Sequence, residues 1–393
     1  MALQLTFPDN FLWGTATAAH QIEGGNTNND WWRFEHTPGS GTAESSGDAC
    51  DSWNRWGEDQ QIVADLGLGA YRFSIEWSRI EPADGEFSEV ALDRYRAQLV
   101  AAHTRGLKPV VTFHHFTTPQ WLADLGGWEF NEAPERFARF VAKATEHLGD
   151  LISMACTINE PNIVAFIGYR IGFFPPGGVA DKARYDKVAD AFCRAHRLAV
   201  DALRAGPGSF PIGMTLSMAD WQALPGGEAQ RDEFRAHMED RYLAATQGDD
   251  FIGVQCYTRH IVGPDGVIEP GPEVRTTLMG YEFYPECTGA TVRRAAEVTG
   301  LPTYLTENGI GTDNDEDRIE YLGRAIASAH EAIADGIDLR GYFCWSLLDN
   351  FEWVFGYKPT FGLVSVDRTT FVRTPKPSAA FFGAIARANA LEV

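Results

Sequence analysis

The chain has 393 residues, enough for one large barrel or for roughly two or three ordinary domains, and its 44 % hydrophobic and 22 % charged residues are those of a globular protein. Its 33 Lys+Arg against 54 Asp+Glu give a formal charge of −21, which argues against nucleic acid or an anionic membrane as partner and weighs against a highly anionic substrate. Cys50, Cys156, Cys193, Cys256, Cys287 and Cys344 are scattered without a C-x-x-C pair, and the N-terminal stretch lacks a basic start and a long apolar run. These features predict reduced thiols, a cytoplasmic location, no signal peptide and no membrane span. Nothing in the pattern sets an oligomeric state.

Strand and helix alternate along the chain. A first apolar strand at Phe11–Gly14 leads into T-A-T-A-A-H-Q-I-E-G, and a Gly/Ser/Asn-rich loop follows from Gly24 to Gly47. Apolar residues at helical spacing mark Trp53–Leu66, and Gly67 closes that helix. Strand two is Ala70–Trp77; helix two is Glu89–Arg105, stopped by Gly106; strand three is Lys108–His114. Helix three is Glu132–Leu148 with Asn131 as its expected N-cap, and strand four is Leu151–Ile158. Then come helix Asp186–Ala205, strand Pro211–Ser217, a weakly amphipathic helix Glu228–Thr246 and strand Phe251–Gln255. The series ends with helix Thr291–Val298, strand Pro302–Thr306, helix Asp317–Ala334, strand Leu339–Leu347 and helix Ser378–Ala390.

Eight strands alternating with eight helices, without linker or repeat, predict an α/β fold. We read residues 1–393 as a single-domain (β/α)8 TIM barrel with its active site at the C-terminal strand ends. A doubly wound open sheet fits less well, because no Gly-rich phosphate loop follows strand one.

The strand ends carry the chemistry. L-P-T-Y-L-T-E-N-G at 301–309 places Glu307 after a short apolar strand and turns at Asn308-Gly309; M-A-C-T-I-N-E-P at 154–161 places Glu160 in the same way, stopped by Pro161. A pair of strand-end carboxylates is what cleavage of a glycosidic bond requires. His20-Gln21, Arg72, His114-His115, Asn159, Tyr257, Trp345 and Asp349-Asn350 through Glu352-Trp353 stand near other strand ends, a set of amide, imidazole, carboxylate and indole groups suited to a neutral polyol. Each has a bland reading. Arg72 has even odds of being a structural ion-pair partner, at most one of His114 and His115 points inward, and Trp53, Trp128 and Trp221 are packing residues. No metal signature is present, and no cofactor is expected.

Six stretches, F-L-W-G-T-A-T-A-A-H-Q-I-E-G, Y-R-F-S-I-E-W-S-R-I-E-P, T-F-H-H-F-T-T-P-Q-W, T-I-N-E-P, L-T-E-N-G and W-S-L-L-D-N-F-E-W, follow one another over nearly the full length. In this the chain resembles glycoside hydrolase family 1, the β-glucosidase family. The resemblance implies that Glu160 is the acid/base and Glu307 the nucleophile of a retaining double displacement, with the carboxyl groups about 5–5.5 Å apart. It implies that Gln21, His115, Asn159, Glu352 and Trp353 bind sugar hydroxyls, Asn159 at the 2-hydroxyl, and that the sugar stacks on Trp345. Arg72 and Tyr257 match residues that orient and tune the nucleophile. Arg72 is expected to lower the Glu307 pKa, and burial with the Glu307 charge to raise that of Glu160.

Glu352-Trp353 implies recognition of the 4- and 6-hydroxyls of an unmodified hexose, and Lys358 alone makes no phosphate site. β-D-Glucosides are therefore the expected substrates, with β-D-galactosides and β-D-fucosides as companions. A transglycosylase on the same site and a non-catalytic sugar-binding barrel are the alternatives; retention of both glutamates disfavours the second. Four departures bear on detail: Gln255-Cys256-Tyr257 in place of N-Y-Y, Asn162 where an aromatic ring flanks the aglycone, Thr360 in place of Arg, and a shortened segment between Ser217 and Phe251. The last predicts an open aglycone entrance that accepts bulky leaving groups.

Overall fold

The structure, a computed structural model, describes residues 4–178 and 181–392. Eight parallel strands close into a barrel: β1 Leu12–Ala16, β2 Ala70–Ser74, β3 Lys108–His115, β4 Met154–Asn159, β5 Ile212–Ser217, β6 Phe251–Gln255, β7 Thr303–Asn308 and β8 Leu339–Trp345. The helices between them are α1 Ser52–Asp65, α2 Glu89–Thr104, α3 Ala133–Leu148, α4 Lys182–Ala205, α5 Glu228–Ala245, α6 Cys287–Thr299 and α7 Asp315–Ala334; α8 Pro377–Ala388 follows β8. The TIM-barrel expectation is met.

Two apolar layers hold the barrel. Its lumen is filled by Ala70, Val110, Met154, Cys156, Phe251 and Phe343. The outer layer, between strands and helices, is larger and includes Phe113, Phe137, Phe140, Val188, Phe192 and Tyr342. Strand residues alternate between the two, as the period of two requires. On β3 the alternation breaks: Phe113 packs near Phe140, and His114 packs against Trp128, Phe137 and Phe192. His115 is thereby turned to the cavity, so only one of the two histidines points inward.

Several boundaries differ from the sequence expectation. Strand two stops at Ser74, because Glu76 accepts from the Ser78 backbone N–H and starts a short helix at Trp77–Ile80. Asn131 is not the cap of α3; Glu132 occupies that position without a side-chain cap bond, and Pro134 presets the first turn. The α4 helix begins at Lys182 rather than 186, capped by Asp181, whose carboxylate accepts from Ala183 N at 2.7 Å. The α5 helix loosens into a π-helical turn at Ala236–Asp240. The α6 helix starts four residues earlier than expected, at Cys287, and β8 ends at Trp345 rather than 347. The shortened segment after β5 still forms Asp220–Ala223, which pairs with Arg259–Gly263 beside Gly266–Ile268 in a small separate sheet.

Candidate active site

The register of the barrel brings the strand-end residues level. Ala16 pairs with Arg72 and with Trp345, His115 with Asn159, Asn159 with Thr215, and Glu307 with Gln255. Where β7 ends, the Asn308 amide donates to Cys256 O at 2.6 Å and its carbonyl accepts from the Tyr342 hydroxyl at 2.5 Å, which fixes the strand end that carries Glu307. Gly309 follows because a Cβ there would lie 1.9 Å from the Trp345 carbonyl oxygen. Glu160 sits just past β4 in the left-handed backbone region (φ 45°, ψ 55°), with its N–H donating to Thr215 O at 2.8 Å. A non-glycine residue in that region is a local strain that gathers at functional sites.

Both glutamates line one cavity of ≈ 230 Å³, together with His115, Tyr257, Trp345, Glu352 and Trp353. The remaining sequence-predicted residues stand one step behind it. Arg72, wholly buried, donates to Glu307 Oε1 at 2.6 Å, to Asn159 Oδ1 at 2.5 Å and to Thr112 Oγ1 at 3.1 Å. It is therefore an ion-pair partner, and the ion it pairs with is Glu307. Tyr257 donates its hydroxyl to Glu307 Oε2 at 2.7 Å. Asn159 Oδ1 also accepts from Thr215 at 3.2 Å and from Gln255 Nε2 at 2.8 Å, so Gln255 joins this network through Asn159.

That saturation fixes the Asn159 amide. Its Nδ2 must donate to His115 Nε2, 3.3 Å away, which leaves the His115 proton on Nδ1. Burial and the nearby Arg72 charge push His115 well below the usual imidazole range, so it is a neutral donor. His115 Nδ1 and Gln21 Oε1 are buried without a protein partner among the described residues. Unpaired buried groups cost free energy unless a ligand meets them, and sugar hydroxyls can. Gln21 is held by its other end, donating to Phe351 O at 2.8 Å, Asn350 Oδ1 at 3.2 Å and Glu352 Oε2 at 3.3 Å. His20 lies outside the cavity wall, its ring stacked 5.7 Å from Trp353 at 7°. Trp345 lies 5.7 Å from the His115 ring at 16°, and Trp353 is flanked by Trp31 and Phe116.

The two glutamates differ in environment. Burial, and then the Glu307 charge, raise Glu160 well above the usual carboxyl range, against a hydrogen bond from Ser217 and the more distant Arg72. Burial also raises Glu307, opposed by Arg72 and Tyr257. The net direction for Glu307 is thus the reverse of the sequence expectation, because desolvation of a wholly enclosed carboxylate outweighs the cation beside it. The order still holds: two direct donors stabilise charge on Glu307, so the shared proton belongs to Glu160. Burial and the Glu307 charge raise Glu352 to about 8.

Other expectations are corrected. Asn162 does not face the cavity; it is wholly buried, and its amide donates to Ser217 O at 2.8 Å and Met238 O at 2.9 Å. Ile163 lines the cavity instead. Thr360 bonds Thr312 O at 2.7 Å away from the site, while Lys358 is exposed. Asp349 accepts from Gly362 N and Lys376 Nζ, both at 2.8 Å, and so shapes the loop. Ser217 was missed by sequence reasoning, although it too is a polar residue at the end of a barrel strand. Phe116, Phe173, Tyr281 and Phe355, which also line the cavity, lie beyond the strands and gave no periodic signal.

A (β/α)8 barrel with two unlike glutamates in one strand-end cavity and polyol-type donors around them is the architecture of a sugar-processing barrel. Glycosyl hydrolase family 1 matches residues 3–260 and 254–391, and the chain belongs to that family. It is 33 % identical to "Beta-glucosidase A" of Thermotoga maritima, with 98 % of this chain and 99 % of the relative covered, along 443 aligned positions. It is 32 % identical to the "Bifunctional beta-D-glucosidase/beta-D-fucosidase" of Bifidobacterium breve, over 96 % and 97 % of the two chains. The solved structure of a β-glycosidase from Pyrococcus horikoshii superposes with a TM-score of 0.93 at 35 % identity, covering 100 % of this chain and 97 % of that one. Among the described residues no helix is long and apolar enough to cross a membrane.

Proposed function

We propose that the chain is a retaining β-glycosidase of the β-glucosidase type, acting as one catalytic domain over residues 1–393. The observation that carries this reading is the inequality of the two glutamates: only Glu307 contacts a cation, while Glu160 faces it from the same cavity.

The sugar stacks on Trp345, its hydroxyls meeting Gln21, His115, Asn159, Glu352 and Trp353. Glu307 attacks the anomeric carbon as a carboxylate and forms the C1–O ester bond. The glycosidic C1–O bond breaks, its electron pair stays on the leaving oxygen, and Glu160 supplies the proton there. Esterification removes the Glu307 charge, so Glu160, now ionised, takes a proton from water as that water attacks C1. The sugar leaves with its β-configuration kept, and both carboxyl groups return to their starting states. Tyr257 and Arg72 receive Glu307 again as a leaving carboxylate. β-D-Glucosyl residues are the proposed substrate, with β-D-galactosyl and β-D-fucosyl residues as companions, hydrolysed in the cytoplasm, where the six free cysteines stay reduced.

The test is intact mass and peptide mapping after incubation with 2-deoxy-2-fluoro-β-D-glucosyl fluoride. One fluoroglucosyl group on the peptide carrying Glu307 is the expected result. An adduct elsewhere, or none with either the gluco- or the galacto-configured reagent on folded protein, would overturn it.

A further inference from the structure

Beside Glu160 the sugar cavity adjoins a second hollow of ≈ 120 Å³, and the two share Ile163, Ser217, Tyr257 and Tyr281 as a common wall. Ser217 is the residue that hydrogen-bonds Glu160. The leaving oxygen, which must meet Glu160, therefore emerges next to this recess.

The far side of the recess is aromatic and braced. Trp221 is held by its indole N–H, which donates to Glu239 Oε1 at 2.9 Å. One neighbour stacks flat on it, Phe234 at 5.2 Å and 4°; the other, His260, lies 4.6 Å away at 37°. Glu239 is wholly buried, and its oxygens are engaged by Trp221, Ala219 N at 3.3 Å and Arg294 Nε at 3.2 Å, so it offers nothing to a ligand. The His260 ring hydrogen-bonds to none of the described residues, and burial keeps it neutral by lowering its pKa.

The outer mouth of the cavity is apolar as well, with Ile167, and with Phe173 44 % and Phe355 40 % exposed. A second sugar placed there would lose water from its hydroxyls and find few donors or acceptors in return. A flat ring loses nothing of the kind. An apolar cavity of about 150 Å³ holds a benzene ring, and the recess, open toward the sugar site, matches a single ring in size.

We propose that this recess seats the leaving group, and that the leaving group is a single-ring aromatic alcohol, so that aryl β-glucosides are cleaved in preference to β-linked oligosaccharides. This rests on the glycosidase reading above. The phenolic oxygen keeps the electron pair of the broken C1–O bond and takes its proton from Glu160, and the freed phenol remains against Trp221 and His260 until it diffuses out. The wall residues position the leaving group and take no part in bond making.

Ala219→Phe fills the recess and His260→Ala removes part of its wall. The experiment compares kcat/KM of wild type and both variants on phenyl β-D-glucoside, cellobiose and β-D-glucosyl fluoride, whose leaving ion needs no recess, and measures phenol binding to the resting protein by ligand-observed NMR. Wild type should favour phenyl glucoside over cellobiose by about tenfold or more. Ala219→Phe should lose about tenfold on phenyl glucoside, stay within about twofold on the fluoride, and no longer bind phenol. His260→Ala should raise KM for phenyl glucoside with kcat kept, and it carries the test if Ala219→Phe does not fold. Equal losses on phenyl glucoside and fluoride, phenol binding unchanged in both variants, or a wild type that prefers cellobiose would each overturn the proposal. A wild type that turns over none of the three but binds phenol in the recess would sink the glycosidase reading and leave the recess standing.

Discussion

Arg72 Nη1 lies 2.6 Å from Glu307 Oε1, with both side chains enclosed by the barrel, and the same guanidinium reaches Asn159 Oδ1 at 2.5 Å. One cation thus orients the proposed nucleophile and the amide beside the acid/base. Glu160 receives no such contact. From this asymmetry the order of the two proton affinities follows, and the pH behaviour can be worked out.

Glu160→Gln should leave the fold intact and remove the proton donor. General acid help is worth about 10²–10⁴ in rate, so kcat/KM should fall by that order on alkyl glucosides and far less on β-D-glucosyl fluoride, which needs no proton. The alkaline limb of the pH profile should vanish with the residue. A uniform loss across leaving groups would show that Glu160 does not protonate them.

Tyr257→Phe tests the other limb. The Tyr257 hydroxyl donates to Glu307 at 2.7 Å and acts to lower the Glu307 pKa. Without it the carboxyl holds its proton to higher pH, so the acidic limb of kcat/KM should move up, by about one unit for a charged hydrogen bond worth ~1.5 kcal/mol. A downward shift would contradict the assignment of that limb to Glu307.

Trapping the fluoroglucosyl adduct should change Glu160. The Glu307 charge is one of the causes that raise its pKa, and esterification removes that charge. Titration of side-chain-labelled glutamate by carbon NMR should therefore find Glu160 at lower pKa in the adduct than in the free protein. No change would mean that burial alone sets its proton affinity, and the switch from acid to base would need another cause.

Much of this site was legible because its residues sit where periodicity ends. Glu160 and Glu307 close apolar strands, and Gly309 follows Glu307 where the Trp345 carbonyl leaves no room for a Cβ. Other features depend on the third dimension. Asn162 looked like a substituted aglycone residue, yet it bridges β5 to α5, a role set by chain segments distant in sequence. Asn131 looked like an N-cap, but Pro134 sets the first turn and the helix begins after Glu132. Gln255 reads as a departure from pattern, and only the closed barrel shows that its amide reaches Asn159. The recess at Trp221 was hidden because an aromatic residue in a short edge strand reads as packing, which part of its surface is.

The same ion pair makes a prediction about stability. Arg72→Met leaves Glu307, 3 % exposed, with its charge unpaired and takes a donor from Asn159. Breaking a buried pair by removing one partner costs about 3–5 kcal/mol. Glu307→Gln should cost less, because it strands Arg72 but also relieves the repulsion that Glu307 exerts on Glu160 and Glu352. The double variant leaves neither charge buried, so its loss should fall short of the sum of the two single losses by about 1–3 kcal/mol, the coupling expected of residues in contact. Urea unfolding of all four proteins closes the cycle. Strict additivity would mean that the two side chains do not stabilise one another, and that the positioning of Glu307 rests on Tyr257 and the strand end alone.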